Sequence, residues 1–135
     1  MNEAEVQEQV ADYIRLQYPG ILFHSDFGSG TKLSWAQARR QKRQNGGKRA
    51  WPDMFIAEPR VLWADGYGFG QEVAGLFIEL KKEGTKIYTK KGTLVSNEHI
   101  REQYDMLEQL HKRGYAAEFA CGFDEAKRII DEYLR

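Results

Sequence analysis

Leu76-Phe77-Ile78-Glu79-Leu80-Lys81 is an apolar run interrupted by an acid and ended by a lysine. Its length and content read as a strand. Strand side chains alternate between faces, so Phe77, Glu79 and Lys81 point one way and Leu76, Ile78 and Leu80 the other. An acid and a lysine two apart on a core-like strand are costly to bury without a use. Upstream, Trp51-Pro52-Asp53 opens a second strand, expected to run from Asp53 to Ala57. Pro52 is tolerated there because it stands at the strand's start. If the two strands are neighbours, the Asp53 carboxylate meets Glu79 across the sheet.

Asp53, Glu79, the backbone carbonyl of Leu80 and water together make an oxygen shell suited to magnesium. A metal in such a shell lowers the pKa of a bound water and stabilises charge on a phosphoryl oxygen. Lys81 is placed to orient that water or to stabilise the developing charge. A plain surface ion pair of Glu79 with Lys81 or Lys82 is the bland alternative, and the pairing with Asp53 weighs against it.

Around these strands the apolar spacing predicts a helix over 3–18, with Val6, Val10, Tyr13, Ile14 and Gln17 on one face and Pro19-Gly20 as its stop. Ile21-Leu22-Phe23-His24 reads as a short buried strand, and Phe27-Gly28-Ser29-Gly30 as a glycine-punctuated loop. Ser34 is suited to cap a short helix running to Gln44 and ended by Asn45-Gly46-Gly47. Residues 59–75 read as a loop or loose hairpin extension, and 84–95 as a lysine-rich turn or hairpin. A long helix is expected from Glu98 to Arg113, capped by Ser96 or Asn97, with Ile100, Tyr104, Leu107, Leu110 and Gly114 as its apolar stripe. Ala116–Cys121 reads as a strand. Asp124–Leu134 reads as a last helix with Ala126, Ile129, Ile130 and Tyr133 inward. Strands interleaved with helices imply an α/β domain, a central mixed β-sheet flanked by helices.

The chain has 135 residues, of which 41% are hydrophobic and 30% charged, which suits one domain over 1–135 with a real core. No run approaches the length of a membrane-spanning helix, and the acidic start Met1-Asn2-Glu3-Ala4-Glu5 lacks the order of a signal peptide. With Cys121 as the sole cysteine, no internal disulfide or cysteine-rich zinc site can form, and a reducing, cytoplasmic setting is expected.

Net charge is zero but unevenly laid out. From Gly28 to Trp51 there are seven basic residues, Lys32, Arg39, Arg40, Lys42, Arg43, Lys48 and Arg49, and no acid. Leu80 to Lys91 holds five lysines against Glu83. The two segments together carry +11, so the remainder carries −11. Such segregation offers a basic face to a polyanion while the molecule stays neutral.

Two further residues stand out. Gln103 lies at the edge of its helix's apolar stripe, between Ile100 and Leu107. A glutamine there needs partners, which could be backbone groups or the metal cluster. Glu3 shares a helical face with Val6, Gln7 and Val10, whereas Glu5 and Glu8 lie off it. A first-turn glutamate also suits the helix dipole without any further role.

The PD and ELK strings resemble the PD-(D/E)XK nuclease superfamily. The wider order resembles the virus-type replication-repair nuclease (VRR-NUC) domain, in its small stand-alone phage and prophage form. The residues that carry the likeness are Glu3 with Gln7, Gly28–Gly30, the basic run Arg39–Arg49, Trp51-Pro52-Asp53, and Phe77-Ile78-Glu79-Leu80-Lys81. Gln103, Leu110-His111-Lys112-Arg113-Gly114-Tyr115 and Gly122-Phe123-Asp124-Glu125-Ala126 complete it. Two departures stand beside it: Trp51 replaces the family's usual glycine before the PD string, and the glycine-rich segment 64–75 lengthens the link between the two strands.

The resemblance implies a restriction-endonuclease-like core and a DNA endonuclease dependent on Mg²⁺ (or Mn²⁺). It assigns Asp53, Glu79, Lys81, Gln103 and Glu3 to catalysis, with Asp53, Glu79 and the Leu80 carbonyl on the metal. Lys32, Arg39, Arg40, Arg43, Lys48, Arg49 and Lys82 are the candidates for DNA contact. It further implies a homodimer acting on duplex or branched DNA such as Holliday junctions, in phage replication, recombination or repair. Tyr67 and Phe69, or the Tyr13/Tyr18 side of the first helix, are the expected interface. The rival reading is a non-catalytic DNA-binding or assembly module on the same fold.

Overall fold

Helix α1 (Glu3–Gln17) starts where the Asn2 side chain accepts the backbone N–H of Glu5, and it buries Val6, Gln7, Val10 and Ile14. The computed structural model describes residues 1–27, 32–63 and 70–135. Strand β1 (Phe23–Ser25) follows, then α2 (Trp35–Gln44), β2 (Met54–Ile56), β3 (Arg60–Trp63), β4 (Gly70–Val73), β5 (Leu76–Lys81), α3 (Glu98–Lys112), β6 (Ala116–Cys121) and α4 (Phe123–Leu134). The main sheet has the order β1-β2-β5-β6, with β2 antiparallel to both β1 and β5, and β5 parallel to β6. A parallel pair needs a long crossover, and α3 supplies it.

Leu76, Ile78 and Leu80 are fully buried and form one core with Met54, Ile56, the apolar face of α1 and the inward residues of α4. The other face carries Phe55, Phe77 and Tyr115 and receives α3. Gly75 allows β5 its approach to β2, because a Cβ there would meet Phe55 at 2.6 Å and the Ile56 carbonyl at 2.7 Å. Hairpin β3–β4 stands apart as a two-stranded sheet, as a hairpin extension of 59–75 requires. No helix among the described residues is long and apolar enough to cross a membrane.

Several local expectations need correction. Leu22 and His24 are exposed, because β1 is an edge strand rather than a buried one. Gln17 is exposed as the last residue of α1, beyond Ile14, the last buried position of the helix. On α3 the buried positions are Ile100, Gln103, Met106, Leu107 and Leu110, with Tyr104 half-buried. Tyr13 and Tyr18 are half-buried, and both hydroxyls donate to Oδ1 of Asp131 on α4 at 2.6 Å. Gly28–Gly30, Tyr67 and Phe69 lie outside the described residues.

Candidate metal and nucleic-acid site

The antiparallel register pairs Met54 with Ile78, which sets Asp53 opposite Glu79 where β2 begins. Both side chains lie on the face shared with Phe77, and neither reaches water freely: Asp53 is 8% exposed, Glu79 3%. The backbone N–H of Asp53 donates to Glu79 Oε2 at 3.2 Å, and the N–H of Leu80 donates to Asp53 Oδ2 at 2.7 Å. The two carboxyls are within hydrogen-bonding reach of each other. Burial pushes the Glu79 carboxyl well above its usual range, and the neighbouring Asp53 adds to the shift. Burial likewise raises Asp53, against the lowering effect of the hydrogen bonds from Glu79 and from the Leu80 N–H.

Pro52 has a part in this arrangement. The Asp53 carbonyl accepts from Asp26 on the β1 side, so residues 54 and 56 turn their peptide groups toward β5. Extending that register sets Pro52 opposite Leu80. Proline has no N–H, so β2 brings no ladder donor to the Leu80 carbonyl.

Gln103 projects from α3 into the same place. It is 6% exposed, its Nε2 donates to Glu79 Oε1, and His99 Nε2 lies 3.3 Å from that nitrogen. Its Oε1 is buried with no hydrogen-bond partner among the described residues. Lys81, 6% exposed, has its Nζ 4.0 Å from Oε1 of Glu3, so of the two N-terminal glutamates it is Glu3 that faces the site.

Asp53, Glu79 and Gln103 floor a cleft of about 230 Å³ that Glu3, Asp26 and His99 also line, with α2 and the segment after it as the opposite wall; Lys81 is not among the lining residues. Helix α2 has no buried residue. A capping box closes its start, with Ser34 Oγ accepting from the Gln37 N–H and Gln37 returning the bond. Ala38, Gln41, Lys42 and Asn45 form the cleft-facing side, and Gln41 reaches Asp26 at 3.5 Å. Lys48, Arg49 and Trp51 complete the wall. Of the basic residues singled out in the sequence, Lys48 and Arg49 therefore line the cleft, joined by Lys42. Lys32, Arg39, Arg40, Arg43 and Lys82 are exposed outside it, with Arg39 over the Trp35 ring at 5.3 Å. A larger hollow of about 620 Å³ beneath hairpin β3–β4 has, among the described residues, only Arg60 and Glu72 as charged lining.

His99, Asp26 and Gln41 belong to this site and were not singled out from the sequence. His99 had a readable signal, since it stands one helical turn before Gln103. Asp26 and Gln41 are brought in by the β1 turn and by the packing of α2, neither of which has a periodic signature.

The donors fit a hard divalent cation. Two adjacent buried carboxylates, a carbonyl left without a ladder partner on the β2 side and the orphaned Gln103 Oε1 offer oxygen and no sulfur. Among the described residues no group of three or more His, Cys, Asp and Glu side chains is arranged to hold a metal. Protein ligation would thus rest on Asp53, Glu79 and Leu80, with water filling the rest, and with Glu3 engaged by Lys81.

No protein-family model matches the chain, and no curated protein matches it. Among solved structures it is similar to one described as a VRR_NUC domain protein, at a TM-score of 0.62 and 24% identity, over 99% of this chain and 88% of that one. The PD and ELK strands, the crossover helix carrying Gln103 and the flanking α1 and α4 therefore belong to a VRR-NUC fold, a mixed α/β sheet with helices on both faces.

Proposed function

We propose that the chain is a nuclease that hydrolyses DNA phosphodiester bonds with Mg²⁺ or Mn²⁺. The observation that carries this reading is the buried pairing of Asp53 with Glu79 at the floor of a cleft walled by Lys42, Lys48 and Arg49. Two carboxylates this close and this dry are strained as anions, and a divalent cation between them removes the conflict.

Asp53, Glu79 and the Leu80 carbonyl are the residues that would hold the cation. When bound, it neutralises charge on a phosphoryl oxygen and acidifies a coordinated water. Lys81, anchored by Glu3, directs an ammonium at the phosphate and supports the charge that develops there. Gln103 fixes the rotamer of Glu79. Lys42, Lys48 and Arg49 hold the DNA backbone across the cleft. A homodimer would present two such sites in two-fold relation, matching the two symmetric cuts that a branched DNA requires.

The test is a cleavage gel with linear duplex, single-stranded and four-way-junction DNA, with and without Mg²⁺ or Mn²⁺. Cation-dependent products that vanish in Asp53→Asn support the reading. Binding without any product in either cation would instead assign a non-catalytic DNA-binding module.

A further inference from the structure

The cleft has an aromatic wall that neither ion binding nor phosphate contact uses. Trp51 lines it beside Asp53 and Glu79, and 38% of the residue is exposed. The indole is held from two directions. Its N–H donates to the Asn45 carbonyl at the C-cap of α2, 3.3 Å away. Its ring lies 6.2 Å from that of Phe77, tilted at 49°. Phe77 is itself stacked on Phe55 at 4.4 Å, and Tyr115 meets both rings edge-on at 5.2 and 5.9 Å. The indole thus borders Phe77, which Phe55 and Tyr115 hold in place.

Only Pro52 separates Trp51 from Asp53 in the chain, so a group resting on the exposed indole lies next to the paired carboxylates. The cleft that the indole lines also carries the cations Lys42, Lys48 and Arg49 in its wall, with the acids Glu3, Asp26, Asp53 and Glu79. An exposed aromatic set among cations is the chemistry that receives an unpaired nucleotide, the ring taking the base face and the cations the backbone. Within a helix each base face is covered by its neighbours, so a paired base has no free face to offer.

We propose that Trp51 is a stacking platform for an unpaired nucleobase and selects DNA whose nucleotide beside the paired carboxylates lies outside a helix. The proposal rests on the nucleic-acid reading above, and its test is a binding measurement that needs no cleavage.

In EDTA, the affinity of the intact protein is measured by fluorescence anisotropy for three labelled DNAs. One is a fully paired duplex, one carries a single unpaired nucleotide, and one carries an abasic site at that unpaired position. The wild type is expected to bind the unpaired nucleotide about tenfold more tightly than the other two. Trp51→Leu should erase that preference, and Trp51→Tyr should keep most of it. Combining Trp51→Leu with the abasic DNA should cost no more than either change alone, as a shared contact demands. Equal wild-type affinity for unpaired and abasic DNA overturns the proposal, and this arm does not depend on the variant folding. So does a Trp51→Leu protein that keeps the preference or weakens all three DNAs by one factor. If no DNA binds at all, the nucleic-acid reading falls as a whole, whereas indifferent binding of all three removes the stacking role alone.

Discussion

Gln103 donates through Nε2 to Oε1 of Glu79, so the helix that leaves β5 reaches back to hold a carboxylate of that same strand. The Asp53 N–H takes the other oxygen, Oε2. Glu79 is thus fixed at both oxygens before any ligand arrives, which is the preorganisation a metal site or a charged transition state needs.

Removing that hold should separate positioning from folding. Gln103→Leu leaves Glu79 Oε1 without a donor but also removes the orphaned Oε1 of Gln103, and the two effects on stability oppose each other. Stability is expected to change by less than about 1 kcal/mol. Affinity for Mn²⁺, read by titration calorimetry, should fall about tenfold, since partners that orient a ligand are worth that much. An unchanged Mn²⁺ affinity would mean that Gln103 does not position Glu79.

Loss of either carboxylate should be far more severe. Asp53→Asn and Glu79→Gln keep shape while exchanging one accepting oxygen for an NH2 donor, which at residue 79 the Gln103 amide can meet by turning its unused Oε1 toward it, so both proteins should melt cooperatively. Cleavage should drop about a thousandfold or more, the scale of several kcal/mol of lost charge stabilisation. Cleavage within about threefold of wild type in either variant would remove that residue from the reaction.

The raised carboxyl of Glu79 ties stability to pH. Its folded-state value lies well above the ordinary 4.5, through burial first and Asp53 second. Between those two values the folded protein holds more protons than the unfolded chain, so stability must fall as pH rises through that window. The metal-free protein should therefore melt at a lower temperature at pH 8 than at pH 5. Glu79→Gln should flatten the slope, and Mg²⁺ should recover part of the loss at pH 8. A melting temperature in EDTA that does not fall between these pH values contradicts the assignment.

How much of this was legible in the sequence depends on whether a residue's neighbours lie at a fixed spacing. Period two along β5 separates Glu79 and Lys81 from Leu76, Ile78 and Leu80, and the structure keeps that division. Helical spacing brings Gln103 to the edge of the apolar stripe, though it could not say that Met106 rather than Tyr104 would be the better buried. Leu22 fails as a buried residue because edge position is a property of the sheet order and not of the local string. The partition of the basic run was hidden for a similar reason: α2 has no apolar face to say which side meets the protein, so Lys42 and Arg43 look alike until the helix is packed.

Asp131 links the two helices on the opposite side of the sheet from Glu79. Burial alone would raise its carboxyl, but hydrogen bonds from Tyr13, Tyr18 and Lys127 and the charge of Arg135 hold it at about 2. A lowered carboxyl contributes stability above its ordinary range and loses it as pH falls toward the folded value. Asp131→Ala should cost about 2 kcal/mol by leaving two phenols without an acceptor. The variant should also lose less further stability on acidification than wild type does, the titrating group being gone. Cleavage at 25 °C should be unaffected, and a variant that is as stable as wild type would show that the cluster does not pin α1 to α4.

The packing of α2 divides its cations into two sets with different expected roles. Ala38, Gln41, Lys42 and Asn45 follow the three-and-four spacing of a single helix face and line the cleft. Arg39, Arg40 and Arg43 lie off that face and are exposed. Both sets can attract DNA, since long-range charge does not depend on facing the cleft. Only the inner set, with Lys48 and Arg49, can fix a phosphate over Asp53 and Glu79. Replacing Lys42, Lys48 and Arg49 with alanine should lower the log–log salt slope of binding by about 0.9 for each phosphate that is no longer neutralised. In the same variant the cleavage rate at saturating DNA should fall, because the bound strand is no longer held in register. Replacing Arg39, Arg40 and Arg43 should weaken binding and flatten the slope while the saturated rate stays within about twofold of wild type. Fluorescence anisotropy over a salt series, paired with single-turnover cleavage, separates the two outcomes. If the outer set lowers the saturated rate and the inner set does not, the cleft is not where the DNA is cut.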